Sequence, residues 1–240
     1  MRETSYLVLD IETIPDLEVY TPPEVPIGEE RPFALPYAHR PVVIGLLWLD
    51  GEFALKRLGV IGHDDDEAAM LADFSQFVEA NRPDLITWNG RNFDLPVIAL
   101  RCLRHGIGLR WFYQGRGYRY RYSSEGHLDL CDVFSEHGAA RHLKLNAVAR
   151  LIGLPGKIGV SGSQVEGLYR AGQIETIRNY CLSDVVQTAF VFLRYRLLSG
   201  QLAEDEYRRV ATALYEKLAS EARLADMVPA IDRKRLLLVR

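Results

Sequence analysis

The sequence predicts a mixed α/β fold, in which one β-sheet of parallel and antiparallel strands carries helices on its faces. Two observations predict this fold. Apolar runs flank the turn pair Asp50-Gly51, which is typical of an antiparallel β-hairpin. Further along, short apolar runs alternate with longer segments of helical periodicity, as in parallel strands joined by helices. A hydrophobic fraction of 48% in 240 residues is ample for the core of one such domain.

The first half of the chain supplies the hairpin, two further strands and two helices. The strand "YLVLDIETIP" comes first. The proline-rich segment at about 15–41 must then follow an irregular surface path, because proline disrupts helices and central strands. The elements predicted after it are the hairpin "VVIGLLWLDGEFALKRL", the helix "DDDEAAMLADFSQFVEAN", the buried strand "DLITWNG" and the helix "LPVIALRCLRHG", which ends at Gly106.

One strand and three helices are predicted in the second half. They are the alternating segment "HLDLCDVFS" and the helices "LKLNAVARLIG", "IETIRNYCLSDVVQTAFVFLRYRLLSG" and "EDEYRRVATALYEKLASEA". We therefore expect one domain over residues 1–200, with a C-terminal helical extension over residues 201–240 that packs on the same domain.

Composition excludes several classes of protein. The sequence has neither an apolar run of about eighteen residues nor the pattern of a signal peptide, so we expect a cytoplasmic protein without a membrane partner. Cys102, Cys131 and Cys181 form no CxxC pair, which argues against a disulfide framework or a structural zinc site. The net charge of −3 averages over the surface and leaves nucleic acid open as a partner, and oligomeric state is not predicted.

Acidic residues end the first strand in a way that core packing does not explain. Asp10 and Glu12 are two residues apart, so in a strand they share a face at a spacing of about 7 Å, and two such charges need a cation or a proton between them. Asp94 follows a predicted strand and begins a helix. Asp184 lies in the long helix, one turn after Tyr180 on the same face. Taken singly, either acid is explained as a helix cap or a solvated side chain.

Three motifs taken together carry a resemblance. They are "DIET" after the first strand, "NGRNFD" after a later strand and "YCLSD" in the long helix. This set resembles the DEDD 3′-to-5′ exonuclease superfamily, and the tyrosine before the last aspartate resembles its tyrosine-bearing branch. With "LKLNAVARLIGLPGK", the chain is most similar to the proofreading exonuclease domain of family B DNA polymerases and to stand-alone predicted exonucleases related to it. The resemblance covers about residues 5–195 and implies a ribonuclease H-like fold.

The resemblance implies a catalytic metal site. In this superfamily the residues matching Asp10, Glu12, Asp94 and Asp184 are metal ligands, and the residue matching Tyr180 positions the attacking water. Two divalent ions about 3.5–4 Å apart can activate a water and stabilise charge on the attacking and leaving oxygens of a phosphodiester. Hard oxygen ligands favour Mg²⁺ or Mn²⁺.

Candidate substrate contacts come from two sources. The segment Leu95–Ser124 holds six arginines and no acid, and its stretch "RWFYQGRGYRYRY" interleaves arginines with tyrosines, a combination that binds phosphates and bases of single strands. Arg116, Arg119 and Arg121 are the candidates there, and a hairpin with tyrosines packed on arginine stems is the alternative. The resemblance further implies that Thr13, Asn89 and Phe93 contact the terminal nucleotides.

Several other motifs are better explained structurally. "HDDDE" (63–67) is interpreted as a capped helix start, and "GLPGK" (153–157) as a helix C-cap and turn, because its spacing is not that of a phosphate loop. His127, His137 and His142 are interpreted as ordinary polar side chains. Asp129 and Asp132, in the last predicted strand, are interpreted as structural, with support of the site as the alternative.

The sequence therefore predicts a metal-dependent 3′-to-5′ exonuclease acting on single-stranded or frayed 3′ ends, with DNA favoured over RNA. Three alternatives remain: a 3′ exoribonuclease, an endonuclease or integrase on the same fold, and a non-catalytic nucleic-acid-binding or polymerase-accessory module. Because 240 residues leave no room for a polymerase palm, we expect any proofreading to serve a partner polymerase or repair protein.

Overall fold

A computed structural model describes residues 4–26, 32–62, 66–123 and 125–239. Its centre is a five-stranded sheet in the order β3-β2-β1-β4-β5. Strand β1 lies in the middle, antiparallel to β2 and parallel to β4, while β3 pairs antiparallel with β2 and β5 pairs parallel with β4. The predicted mixed sheet is confirmed. The strands are β1 (Ser5–Pro15), β2 (His39–Asp50), β3 (Leu55–Ile61), β4 (Asp84–Thr87) and β5 (His127–Asp129).

Helices cover both faces of this sheet. They are α1 (Glu67–Asn81), α2 (Asp94–His105), α3 (Arg110–Gln114), α4 (Leu130–Phe134), α5 (Leu145–Leu151), α6 (Val165–Arg170), α7 (Ile174–Leu198), α8 (Glu204–Ala219) and α9 (Arg233–Leu236). Helix α2 ends as predicted at Gly106, whose φ of 66° is in the left-handed region that favours glycine. Helix α1 begins after Asp66, which accepts a hydrogen bond from Ala69 N; positions 63–65 of the "HDDDE" motif lie outside the described residues.

The two faces of β1 pack against different helices. Leu7 and Leu9 belong to the apolar cluster shared with α1 and α2. Tyr6 and Val8 belong to the cluster shared with α7 and with the C-terminal helices. Because side chains alternate along a strand, Asp10 and Glu12 continue the face that α7 covers. The strand therefore carries its two acids out of the apolar core at its carboxyl end.

The last predicted strand is too long. Strand β5 stops at Asp129, and residues 130–134 form α4 instead of continuing the alternation. The Asp129 carboxylate accepts hydrogen bonds from the backbone N–H groups of Cys131 and Asp132, which caps a helix at this point. Asp132 consequently lies in a helix and not in the sheet.

Two further predictions need correction. Residues 110–114 are helical, so the arginine-tyrosine segment does not begin as a hairpin strand. Strand β2 begins at His39, which places Pro41 inside a strand, where it pairs with Thr13 beyond an irregularity in the register at Glu12 and Thr13. A β-bulge is one of the few places where a strand accepts proline.

The C-terminal residues pack on α7. The buried ring of Tyr207 belongs to the same apolar cluster as Phe190 and Phe192, and its hydroxyl donates to Leu236 O at 2.6 Å. Arg194 donates to the Tyr207 hydroxyl at 2.9 Å and to Leu236 O at 2.8 Å. Among the described residues, no helix combines the length and apolar character needed to cross a bilayer.

Candidate active site

Four carboxylates converge where β1, α2 and α7 meet. Asp10 and Glu12 come from the end of β1, Asp94 is the first residue of α2, and Asp184 lies in the middle of α7. The charges of Glu12, Asp94 and Asp184 all act on Asp10, so the four groups form one electrostatic unit. Glu12 and Asp94 are 7% and 4% exposed, which leaves little water to screen them.

Gly45 lets α7 approach the strand end. It lies opposite Asp10 on β2, and a Cβ atom there would stand 2.6 Å from Cys181 Sγ on α7. With no side chain at this position, the Cys181 thiol reaches 3.5 Å from Asp10 Oδ2 and donates to it. One ligand atom each of Asp10, Glu12 and Cys181 lie within 4.8 Å of one another, a separation that a single cation can bridge.

Asp94 is positioned by the backbone on both of its sides. Ile11 N, between the two acids of β1, donates to Asp94 Oδ1 at 3.2 Å. The preceding loop is fixed by Asp129, whose carboxylate accepts from Asn89 N at 2.9 Å and from Arg91 N at 2.8 Å. Asn89 itself has a φ of 64°, in the left-handed region that asparagine tolerates. Asp129 thus supports the loop that leads into α2, the alternative role that the sequence suggested for it.

Burial raises the pKa of every carboxyl in the cluster. It raises the pKa of Asp94 to about 7 and that of Asp184 to about 6. The pKa values of Asp10 and Glu12 are well above their usual range because burial is reinforced by repulsion from the neighbouring acids. In the chain alone, protonation of Asp10, Glu12 and Asp94 is therefore favoured far more than in free carboxyls, whereas a divalent cation would favour the ionised forms.

Tyr180 and Gln187 both contact Asp184. The Tyr180 hydroxyl is hydrogen-bonded to the Asp184 carboxylate one turn along α7, and burial raises the pKa of Tyr180, so it is a phenol at neutral pH. The Gln187 amide donates to Asp184 Oδ1 at 3.3 Å and accepts from Gly156 N at 2.8 Å. Gln187 thereby joins the face of α7 that carries Asp184 to the "GLPGK" turn.

Lys157 is a member of the site that sequence reasoning did not predict. Its charge acts on Glu12 and Asp184 and lowers the pKa of both carboxyls, opposing the effect of burial. Its backbone N–H donates to Asn146 Oδ1 at 2.9 Å. Lys157 is the last residue of the stretch "LKLNAVARLIGLPGK", which contributed to the family resemblance. Because the end of that stretch was interpreted as a helix C-cap and turn, the lysine was not predicted as a site residue.

An open groove of about 420 Å³ leads away from Asp184. It runs between the loop after β4 and the start of α5, and it presents side chains that can donate hydrogen bonds or carry positive charge. These are Asn89, His142, Lys144, Asn146, Lys157 and Gln187. Trp88 supplies an aromatic face in the same groove. Such a lining suits a nucleic-acid strand.

Thr13 and Phe93, two of the predicted substrate contacts, flank the carboxylates. The Thr13 hydroxyl donates to His39 Nδ1 at 2.8 Å, while His39 Nε2 donates to Ala34 O at 3.2 Å. The Phe93 ring lies 4.9 Å from the His39 ring, edge to face. Asn89, the third of these contacts, accepts at its Oδ1 from Asn92 Nδ2 at 2.9 Å and lines the groove.

The three predicted arginines lie on the connection between α3 and β5. Arg121 makes two hydrogen bonds to the buried Asp132 carboxylate, with Nε–Oδ2 at 2.8 Å, and Arg119 stands 5.0 Å from the centre of the Tyr113 ring. Arg116 is exposed. Among the described residues, Arg119 contacts Tyr113 of α3 and Arg91, and Arg121 contacts Asp132 of α4; these contacts are not with the carboxylate cluster.

The remaining histidines lie outside the carboxylate cluster. His127 is buried and its Nε2 is hydrogen-bonded to Thr87 Oγ1 at 2.8 Å, while His137 contacts Asp132. His142 lines the groove beside Cys131. The first two have structural partners, as expected.

Comparison with known proteins identifies the family. Residues 31–229 match the sequence model of a family described as a predicted 3′-5′ exonuclease related to the exonuclease domain of PolB. The chain belongs to this family. The resemblance to DEDD exonucleases and the prediction of a 3′-5′ exonuclease class of enzyme are thus confirmed at the level of the family. The matched range begins after Asp10 and Glu12, which the structure brings to the same site.

Two individual relatives agree with this assignment. The chain is 26% identical over 145 residues to the DNA polymerase epsilon catalytic subunit from Schizosaccharomyces pombe, and the alignment covers 57% of this chain and 6% of that protein. The family B DNA polymerase of Pyrobaculum calidifontis superposes with a TM-score of 0.56 at 19% identity, covering 89% of this chain and 29% of the polymerase. The chain thus spans a small part of either polymerase, and the superposition confirms the ribonuclease H-like fold.

Proposed function

We propose that this chain is a 3′-to-5′ exonuclease that hydrolyses phosphodiester bonds of single-stranded nucleic acid, with DNA as the favoured substrate, in a reaction that depends on divalent metal ions. The proposal rests on the convergence of two buried carboxylates, Glu12 and Asp94, and two half-buried ones, Asp10 and Asp184, with Tyr180 and Lys157 at one end of the sheet. Family membership supplies the reaction class, and the geometry supplies the residues.

The donor set fits hard divalent cations. Asp10, Glu12, Asp94 and Asp184 offer carboxylate oxygens, which Mg²⁺ and Mn²⁺ prefer. Burial raises the pKa of the Cys181 thiol, so the sulfur stays protonated and does not offer the thiolate that softer metals select. Among the described residues, Lys157 is the one cation whose charge lowers the pKa of Glu12 and Asp184, which leaves negative charge on the four acids for metal ions to balance. When bound, a pair of such ions activates a water and stabilises charge on both oxygens of the scissile bond.

The chain's own residues then orient the reactants. The Tyr180 hydroxyl, fixed by Asp184, is a neutral hydrogen-bonding group that directs the attacking water along the line of displacement. Lys157 faces the same carboxylates and supplies positive charge for a substrate phosphate. Gln187 and Asn146 hold the turn that carries Lys157, so its backbone position is defined before substrate binds.

A single strand suits the site better than a duplex. The acids are recessed, and the groove beside them is lined by amides, cations and Trp88, so a strand whose terminal nucleotides are unstacked can enter. Opening a paired end costs about 1–2 kcal/mol per base-pair step, which favours frayed or mismatched ends. DNA is favoured over RNA because both relatives described above are DNA polymerases by name. The same likeness supports a polymerase or repair protein as partner.

We further propose the division into an exonuclease domain over residues 1–200 and a C-terminal extension over residues 201–240. The contacts of Tyr207 with Arg194 and Leu236 favour an extension that packs on the same domain.

The proposal is tested with single strands of DNA and RNA of one sequence, labelled at the 5′ end and incubated side by side with Mg²⁺, Mn²⁺ or EDTA. DNA shortened only in the presence of metal supports it. Faster loss of the RNA would favour the exoribonuclease alternative. Tight binding of either strand without any turnover would favour the non-catalytic module.

A further inference from the structure

Three rings form an aromatic cluster beside the carboxylates. The cluster consists of Phe33, His39 and Phe93, whose ring centres are 5.0 Å (Phe33–His39), 5.1 Å (Phe33–Phe93) and 4.9 Å (His39–Phe93) apart. His39 is buried and Phe93 is half-buried, but Phe33 remains 76% exposed. The proline-rich segment after β1 thus presents one phenylalanine to solvent while two rings beneath hold it in place.

The aromatic cluster is connected to two of the four acids, Asp94 and Glu12, through residues that adjoin them in sequence. Phe93 immediately precedes Asp94, the first residue of α2. His39 accepts a hydrogen bond from Thr13, the residue after Glu12. Because Ile11 N also donates to Asp94, the strand end and the helix start that carry these acids are fixed relative to each other. The exposed face of Phe33 therefore stands at the rim of the candidate active site.

We infer that the Phe33 ring is a stacking surface for a nucleobase at the 3′ end of a single-stranded substrate. The inference rests on the proposed function and adds to it a residue outside the three motifs. An aromatic face binds any base through its π-surface, and it can do so only when that base is not stacked in a duplex. Phe33 then contributes to the preference for unpaired ends.

The neighbouring residues decide between a nucleobase and a protein partner. Leu35 and Tyr37 are also exposed, at 67% and 47%, but Leu35 has no ring, and among the described residues Tyr37 makes no ring contact with the aromatic cluster. A protein-docking surface would use these apolar side chains together. Of these three exposed side chains, Phe33 is the one whose ring contacts His39 and Phe93, which lie next to Thr13 and Asp94. This placement favours a nucleobase as the occupant.

The test measures binding without turnover, in full-length protein carrying Asp10→Ala, with Mg²⁺ present. The probe is an oligothymidylate of about twelve nucleotides, matched to the size of single-strand sites, with 2-aminopurine at the 3′ terminus and a 5′ label for anisotropy. Phe33→Ala should weaken binding by about tenfold, the scale of one base-aromatic stack, and should relieve quenching of the 2-aminopurine. Phe33→Trp should restore both signals. Leu35→Ala, which removes an equally exposed side chain two residues away, should change neither.

A strand with an abasic 3′ end separates stacking from other roles. It should bind equally well to proteins with and without Phe33→Ala, because it offers no base to stack. If Phe33→Ala weakens binding of the abasic strand as much as that of the intact strand, Phe33 does not stack on a base and the inference is wrong. Equal binding of the intact strand by both proteins would also overturn it, while leaving the exonuclease proposal untouched. Failure of the unsubstituted protein to shorten any strand would refute the exonuclease proposal instead.

Discussion

At the scale of single residues, the four carboxylates of the site cannot be treated separately. Each lies within the field of the others, and burial leaves few ways to relieve their repulsion except protonation or a cation. Removing one acid therefore changes both the ligand set and the protonation of the remaining three. This coupling predicts that the acids act as a unit in catalysis.

Asp184→Asn tests whether the four acids act together, because asparagine has nearly the same shape as aspartate but carries no charge. We expect the rate to fall by several orders of magnitude because the substitution removes a charged metal ligand and alters the partner of the Tyr180 hydroxyl. The thermal unfolding midpoint should not fall. Steady-state turnover of a single strand measures the effect, and Asp205→Asn, at an exposed position of α8, is the matched control. Comparable rates for the two variants would contradict the assignment.

Tyr180→Phe separates water orientation from metal binding. Loss of one catalytic hydrogen bond should slow cleavage by about 10- to 1000-fold, while the affinity for Mg²⁺, measured by calorimetry, stays the same. Tyr207→Phe serves as control, since it removes another buried hydroxyl of the molecule, one bonded to Leu236. That change should lower stability and leave turnover intact. Full activity of the Tyr180 variant would show that this tyrosine packs in the core and does not orient the attacking water.

At the scale of elements, the connection between α3 and β5 carries the three arginines that the sequence predicts as substrate contacts. Arg121 is held by Asp132, whereas Arg116 is exposed and the Arg119 guanidinium lies over the exposed ring of Tyr113. If these side chains follow phosphates, replacing Arg116 and Arg119 by serine should raise KM and flatten the salt dependence of binding, because fewer counterions are released. The value of kcat should change little.

Arg121→Ser provides the internal comparison for this prediction. It removes the guanidinium that pairs with the buried Asp132 carboxylate, so it should mainly lower the free energy of unfolding and leave the salt dependence of binding unchanged. The measurements are binding isotherms across a salt series and urea titrations. A salt slope that is identical in the Arg116/Arg119 double variant and the unsubstituted protein would show that the connection does not touch the strand.

The elements with long periodic patterns were predictable from sequence, and those set by single long-range contacts were not. Strand β1 and helix α7 follow from their apolar patterns, and the motifs they carry, together with the motif before α2, pointed to all four acids and Tyr180. The end of β5 was misplaced because "HLDLCDVF" alternates throughout, whereas capping by Asp129 begins a helix after three residues. The local sequence pattern does not reveal whether the strand continues or the helix cap at Asp129 ends it.

In the candidate site, too, the residues whose positions depend on long-range contacts were not predicted from the sequence. Lys157 was missed because the position of its turn depends on Gln187, which is distant from Gly156 in the chain, and on Asn146. The contact between Cys181 and Asp10 depends on the absence of a side chain at Gly45 in another strand. Phe33 lies in a segment whose prolines predict only an irregular path. Such contacts exist only once the sheet and α7 are assembled.

At the scale of the whole molecule, the acid cluster makes the metal-free protein sensitive to pH. A carboxyl whose pKa is higher in the folded chain than in the unfolded chain stabilises the fold while it is protonated, and this stabilisation is lost as pH rises through the folded-state value. Asp94 has a pKa of about 7, and the pKa values of Asp10 and Glu12 are raised well above their usual range. Burial lowers the pKa of His127 from 6.5 to about 3, which has the opposite effect on stability, and this effect is complete once the pH exceeds about 6.5.

We therefore expect the unfolding midpoint in EDTA to fall as pH rises from about 6.5, above which His127 no longer opposes the carboxyls, through the pKa of Asp94 at about 7. Excess Mg²⁺ should remove most of the fall, because bound cations favour the ionised carboxylates and stabilise the folded state. Asp94→Asn should flatten the profile in EDTA. A midpoint shift of about 2–4 °C corresponds to about 1 kcal/mol in a protein of this size, which calorimetry resolves. A profile that is the same with and without Mg²⁺ would argue against a cation site.

We propose that the carboxylate cluster removes nucleotides one at a time from a 3′ end. The most direct measurement follows a single DNA strand labelled at its 5′ end on a sequencing gel, with Mg²⁺, beside a circular strand of the same composition. We predict a ladder that shortens by one nucleotide per step from the 3′ end, an intact circle, and no reaction in excess EDTA or with Asp184→Asn. Internal cuts in the circle, or an unchanged ladder in EDTA, would contradict the account.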